Sequence, residues 1–200
     1  MAPAEGLCPQ ADKEWSAQCF EESGGVRRIK SQHLKRIVVD KSGHAVIVID
    51  QPRELVAVDR KGVVVVPGIF HTGDFDYPDA EKNLGRFSTK VNNASKCGYF
   101  NGSNFRIIIP ASYDQCQAFH EGTALACKDC EVYCTVSECQ DSVFVGGTNF
   151  ILDGKNKVVR KPIPMTPAEV CGGQEFVRIE RDRHSKPFLN CLTHPTAPLK

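Results

Sequence analysis

The sequence predicts a mainly β protein: repeated antiparallel hairpins packed side by side, stapled by disulfides, with little helix. Three observations carry that expectation. Aliphatic runs are punctuated by one turn chemistry, Val39-Asp40-Lys41-Ser42-Gly43 and Val58-Asp59-Arg60-Lys61-Gly62, with the two aspartates 19 positions apart. Pro67, Pro110 and Pro162, 43 and 52 positions apart, close successive runs and mark one unit that recurs with insertions. Ten cysteines in 200 residues supply crosslinks for hairpins that cannot bury an apolar face alone.

Taken in order, the predicted hairpins span 37–49, 56–67, 98–110 and 149–161. In the third, Gly98-Tyr99-Phe100 leads to Asn101-Gly102, a dipeptide suited to a tight turn, and then to the run 105–109. Pro110 lacks a donor and is expected to stop that strand. The stretch 119–122 then turns the chain into a strand at 123–127. The best short helix candidates are 14–22 and 167–170, the latter with Thr166 as N-cap and Pro167 at the first helical position. The expected divisions are a cysteine-containing N-terminal segment 1–36, a repeat domain 37–162, and a C-terminal segment 163–200.

A hydrophobic content of 41% is ordinary for a globular core. The net charge of +1, from 25 basic and 24 acidic residues, gives no global field to attract nucleic acid or an anionic membrane. No apolar run approaches the roughly 20 residues of a membrane span. The stretch Arg27-Arg28-Ile29-Lys30, with Lys35-Arg36, reads as a solvated strand face, because aromatic interleaving is missing.

The even cysteine count favours an oxidising compartment. The start MAPAEGLCPQ reads as an end left after a signal peptide is removed, giving a periplasmic or secreted location, with a natural cytosolic start as the alternative. Cys8 with Cys19, and Cys171 with Cys191, are the expected terminal disulfides, since each pair is isolated and brackets a polar segment. Cys127, Cys130, Cys134 and Cys139 fall within 13 residues. Four thiolates there would suit a tetrahedral zinc, and two disulfides would staple the same loop. The expectation is disulfides and no cofactor, with zinc as the alternative and a redox-active CxxC as a third reading.

No GxSxG elbow, HExxH, phosphate loop or dinucleotide fingerprint occurs, and the six histidines are scattered, so no enzyme is expected. The candidate binding surface is HTGDFDYPDAE, residues 71–81. There Asp74, Asp76 and Asp79 surround Phe75 and Tyr77, which would place aromatic anchors inside an acidic rim suited to a basic cleft. The alternative puts both aromatics in the core with the acids solvating a turn.

Lys96, Gly98, Tyr99, Phe100, Ile109, Pro110, Tyr113, Asp114, Phe119, Gly122 and Ala124 form an ordered pattern that resembles the WG-repeat family, also called KWG repeats. Phe75-Asp76-Tyr77-Pro78 with Leu84, Arg86 and Phe87 resembles the segment preceding the unit in many bacterial members, and Cys127-x-x-Cys130 a CxxC that often follows it. The resemblance covers about residues 37–162. Cys97 stands where the naming tryptophan would be, which implies a divergent branch with Cys97 a candidate for a disulfide. The resemblance implies a β-rich repeat fold used for binding, with some members near secreted-toxin systems. The expected function is therefore a non-catalytic protein-binding module of the bacterial envelope, an immunity or inhibitor protein against a secreted effector or hydrolase. The alternative is a cytosolic zinc- or thiol-dependent domain centred on residues 127–139.

Overall fold

The computed structural model describes residues 8–9, 14–50, 52–70, 83–135, 142–173, 176–181 and 187–192. One local rule recurs through them. Asp40 Oδ1 accepts the N–H groups of Ser42 at 2.8 Å and His44 at 3.2 Å. Asp59 Oδ1 accepts those of Lys61 and Val63, both at 2.9 Å, and Asp153 Oδ1 those of Lys155 at 2.9 Å and Lys157 at 2.8 Å. A single carboxylate oxygen thus satisfies the donors two and four residues on, at the point where the chain reverses. The third residue after each aspartate is left-handed: Gly43, Gly62 and Asn156, with φ of 82°, 75° and 64°. Only residues tolerant of that region fit there, so Asp-x-x-Gly/Asn is the physical basis of the repeat.

Among the described residues the strands join into five small sheets. β1 (Phe20–Ser23) and β2 (Val26–Ile29) form an N-terminal hairpin; β3 (His44–Ile49), β4 (Glu54–Asp59) and β5 (Val64–Val66) form the first three-stranded sheet. β6 (Leu84–Val91), β7 (Ala94–Asn101) and β8 (Ile107–Tyr113) form the second. β9 (Gln115–Cys116), β10 (Thr123–Lys128), β13 (Thr148–Asp153) and β14 (Val158–Arg160) form a four-stranded sheet in the order β14-β13-β10-β9. β11 (Glu131–Cys134), β12 (Ser142–Val145), β15 (Phe176–Arg181) and β16 (Pro187–Leu192) form the last, ordered β12-β11-β16-β15, with β11 and β16 parallel and every other pair of strands antiparallel. The helix α1 (Pro167–Val170) begins as expected, Thr166 Oγ1 accepting the Glu169 N–H at 3.2 Å. Among the described residues no helix is long and apolar enough to cross a membrane.

Alternation along the strands stacks the first sheets in series. Val56 and Val58 of β4 pack with Trp15, Cys19, Phe20 and Ile29, whereas Leu55 and Ala57 pack with Ile69, Phe87, Phe100 and Phe105. On β7, Phe100 faces that second cluster, while Cys97 and Tyr99 face Tyr113, Phe119, Ala126 and Leu152. Successive side chains point to opposite faces, so β4 and the Cys97–Phe100 half of β7 are each covered on both sides, and β4 reads as a near-continuous apolar run. Tyr99 is fully buried, donates its hydroxyl to Gln117 O at 2.9 Å and meets Phe119 edge-on at 4.9 Å. Burial pushes its phenol pKa up.

Several elements differ from expectation. Residues 37–39 form no strand and Val38 is 87% exposed; β3 pairs with the downstream β4, from His44 opposite Asp59 to Ile49 opposite Glu54. Around 14–22 the only helix is a 3-10 turn, Ala17–Cys19, which runs directly into β1. The turn after Phe100 is longer than two residues, and Phe105, not Gly102, takes the positive φ, 54°. That conformation carries the Phe105 ring into the core, parallel to Phe100 at 6.0 Å. Pro110 does not end β8, which continues to Tyr113. β8 is an outer strand, where a missing donor interrupts no two-sided ladder.

Candidate functional site

The junction between the first and second sheets is built from a short crossing, residues 67–70. Gly68 (φ 43°) donates its N–H to Glu54 Oε1 at 3.2 Å and accepts from Ser88 N at 2.9 Å. A Cβ at Gly68 would lie 2.3 Å from Ser88 O, so only glycine permits this approach. Ile69 N donates to Leu55 O at 2.8 Å and Phe70 N to Arg86 O at 2.9 Å, so the crossing is held by β4 on one side and β6 on the other. Glu54 Oε2 also receives Arg27 Nη1 at 2.6 Å.

Above this junction lies a groove of about 1070 Å³. Leu55, Val64, Pro67 and Ile69 give it an apolar floor, and Arg53 and Lys90 stand on its border. A second hollow of about 480 Å³ shares Phe70, Ser88 and Ser95 with it. Phe70, 41% exposed, therefore stands where the two meet, with the Arg86 guanidinium 5.1 Å from its ring centre. In the smaller hollow Lys96 is ion-paired with Asp114, whose Oδ2 accepts the Asp129 N–H at 2.8 Å. The Lys96 hydrogen bond, then the Asp129 N–H, holds the Asp114 pKa below the usual aspartate value. The surface offers a shaped trough with one aromatic projection and fixed charges. Of the described histidines, His33, His44 and His120, none lines either hollow.

Asp74, Phe75, Asp76, Tyr77 and Asp79 lie outside the described residues; Phe70 is the last described position before them. Cys8 is bonded to Cys19 and Cys171 to Cys191, the two pairs named from the sequence. Cys97 is bonded to Cys116, closing β7 onto β9 beside the smaller hollow. In the zinc alternative, Cys127 is bonded to Cys130 and Cys134 is also disulfide-bonded, while Cys139 lies outside the described residues. Thiols so oxidised are not thiolate ligands, and among the described residues no group of three or more His, Cys, Asp or Glu side chains is arranged for a metal. Every described cysteine is in a disulfide, the state expected of an oxidising, non-cytosolic compartment.

The basic N-terminal stretch is more engaged than a solvated face. Besides Glu54, Arg27 covers the Phe20 ring at 4.8 Å, and Arg36 covers Trp15 at 4.4 Å while donating to Pro9 O at 2.6 Å. Sequence reading did not single out Phe70, Glu54 or Ser88. Its available signal was Gly68-Ile69-Phe70, an apolar pair following a Pro-Gly break and outside any hairpin. No family model, characterised protein or solved structure matches the chain.

Proposed function

We propose that this protein is a non-catalytic binding scaffold of the bacterial envelope, periplasmic or secreted, that acts as an immunity or inhibitor protein by covering the active site of a secreted effector or hydrolase. The carrying observation is the exposed Phe70 between two hollows on a disulfide-closed stack. An aromatic side chain projecting from a rigid surface loses little conformational entropy on docking and displaces water from a partner's cleft. The acidic-aromatic stretch with Asp74, Phe75, Asp76, Tyr77 and Asp79 follows Phe70 closely in sequence and supplies the charge that would steer a basic partner. The resemblance to WG repeats supports a binding role.

The test is periplasmic co-expression with any secreted effector or hydrolase found encoded beside the gene, scoring host survival and inhibition by the purified pair. Wild type should protect. Phe70→Ala and Tyr77→Ala should weaken inhibition at least tenfold mainly through faster dissociation, and Asp→Asn changes at 74, 76 and 79 mainly through slower association. Failure of the wild-type chain to bind or protect would remove the immunity reading. Variants that melt early while the Asp changes bind normally would move the site off this face.

A further inference from the structure

We infer that the Cys127–Cys130 disulfide is a redox site, opened and re-formed by exchange with a thiol reductant that enters the smaller hollow and meets Cys130 first. Cys127 is fully buried on β10, whereas Cys130 is half-buried and lines that hollow with Phe70, Gln115 and Asp129. Cys127 stands directly opposite Asn149 of β13, so the two side chains share one face of the sheet. Asn149 is 5% exposed, and its Oδ1 is the one buried side-chain acceptor left without a hydrogen-bond partner among the described residues. Such an orphan is costly and calls for a physical reason. A disulfide sulfur has no proton to give Asn149, but a Cys127 thiol has one. The reduced pair thereby gains a hydrogen bond that the oxidised pair lacks.

The turn carrying the pair holds its shape by other means. Asp114 N donates to Cys127 O at 2.9 Å and Asp114 Oδ2 accepts the Asp129 N–H at 2.8 Å, so one residue clamps the turn at two points. A Cβ at Gly147 would lie 2.3 Å from Lys128 O, which places the turn between β12 and β13 hard against it. The bond spans a separation of 3 residues, against 11, 19 and 20 for Cys8–Cys19, Cys97–Cys116 and Cys171–Cys191. Closing the shortest loop contributes least to folding, so its reduction leaves the chain folded. Cys97 and Cys116 line the same hollow but are packed in the core with Tyr99 and Phe119. In the exchange, a thiolate attacks Cys130 Sγ, the S–S bond breaks, and Cys127 leaves as a thiolate that takes up the proton its attacker had lost. A second reductant thiolate then attacks the first reductant sulfur and releases Cys130, so two electrons and two protons pass to the pair and two reductant thiols become one disulfide. This site goes beyond the binding reading and does not rest on it.

The test equilibrates the native protein with graded ratios of reduced to oxidised glutathione, a range that separates labile from structural disulfides, then traps thiols by alkylation and maps them by mass spectrometry. Cys127 and Cys130 should appear together as thiols at ratios that leave Cys8–Cys19, Cys97–Cys116 and Cys171–Cys191 bonded and the circular dichroism unchanged, and excess oxidised glutathione should restore the bond. Asn149→Leu should shift that equilibrium about fivefold toward the disulfide, a readout that a purely structural asparagine would not move. Asn149→Val serves the same comparison if the Leu variant melts early. The Cys130 thiol left by Cys127→Ala should react with a maleimide in the native state about tenfold faster than the Cys127 thiol left by Cys130→Ala. Opening of this bond only together with the other three or with unfolding, an unchanged equilibrium in the Asn149 variants, or equal labelling of the two Ala variants would each overturn the inference.

Discussion

Arg27 and Glu54 meet at 2.6 Å, and the same carboxylate holds the Gly68 N–H at 3.2 Å, so one side chain ties the N-terminal hairpin, the first sheet and the crossing beneath the groove. Both side chains are about a quarter exposed, which limits the ion pair itself to a fraction of a kcal/mol. Glu54→Gln should cost about 1 kcal/mol in a urea titration, most of it from the hydrogen-bond geometry. A double-mutant cycle with Arg27→Met should give a coupling of about 0.5 kcal/mol that shrinks with added salt.

Gly98 is required by contact. A Cβ there would lie 2.3 Å from Ile109 O and 2.8 Å from the Pro110 carbonyl carbon. Gly98→Ala should therefore force β7 and β8 apart and destabilise the protein by about 2 kcal/mol or more. Ala→Gly at Ala94, the exposed start of β7, is the control and should cost well under that.

Asp114 sets a pH dependence. Its folded-state pKa is lowered, first by Lys96 and then by the Asp129 N–H, so it contributes stability above the unfolded aspartate value of about 3.9 that is lost as pH falls through the lowered folded value. Asp114→Asn should be less stable than wild type at pH 7, and the gap should narrow below pH 4. Parallel denaturation curves at pH 7 and pH 3 with an unchanged gap would show that the carboxylate charge is not responsible.

The Cys97–Cys116 bond closes a separation of 19 residues. In the chain-entropy model its removal by Cys97→Ser/Cys116→Ser should cost about 3 kcal/mol. Because both cysteines line the smaller hollow, the double variant should also expose Lys96 and Asp114 to faster backbone hydrogen exchange, measured by mass spectrometry, than residues 54–59.

What the sequence determined by itself was local. The Asp-x-x-Gly/Asn turns at Asp40, Asp59 and Asp153 and the Thr166 cap close through side-chain contacts within four residues, so residue type and spacing suffice. The mainly β class followed from those turns and the aliphatic runs between them. Strand β6 went unread, because its polar end runs into Asn92-Asn93, whose φ values of 51° and 65° make the tight turn to β7. Tertiary structure alone decided that β3 takes β4 as its partner, that β11 lies parallel to β16, that Cys97 meets Cys116, and that Phe70 stays exposed between two hollows. The reason is physical: period-two patterning specifies which face is buried but not which strand lies alongside. Hydrophobic burial is non-directional, so similar aliphatic runs compete for the same neighbours until the assembled stack gives each a single place.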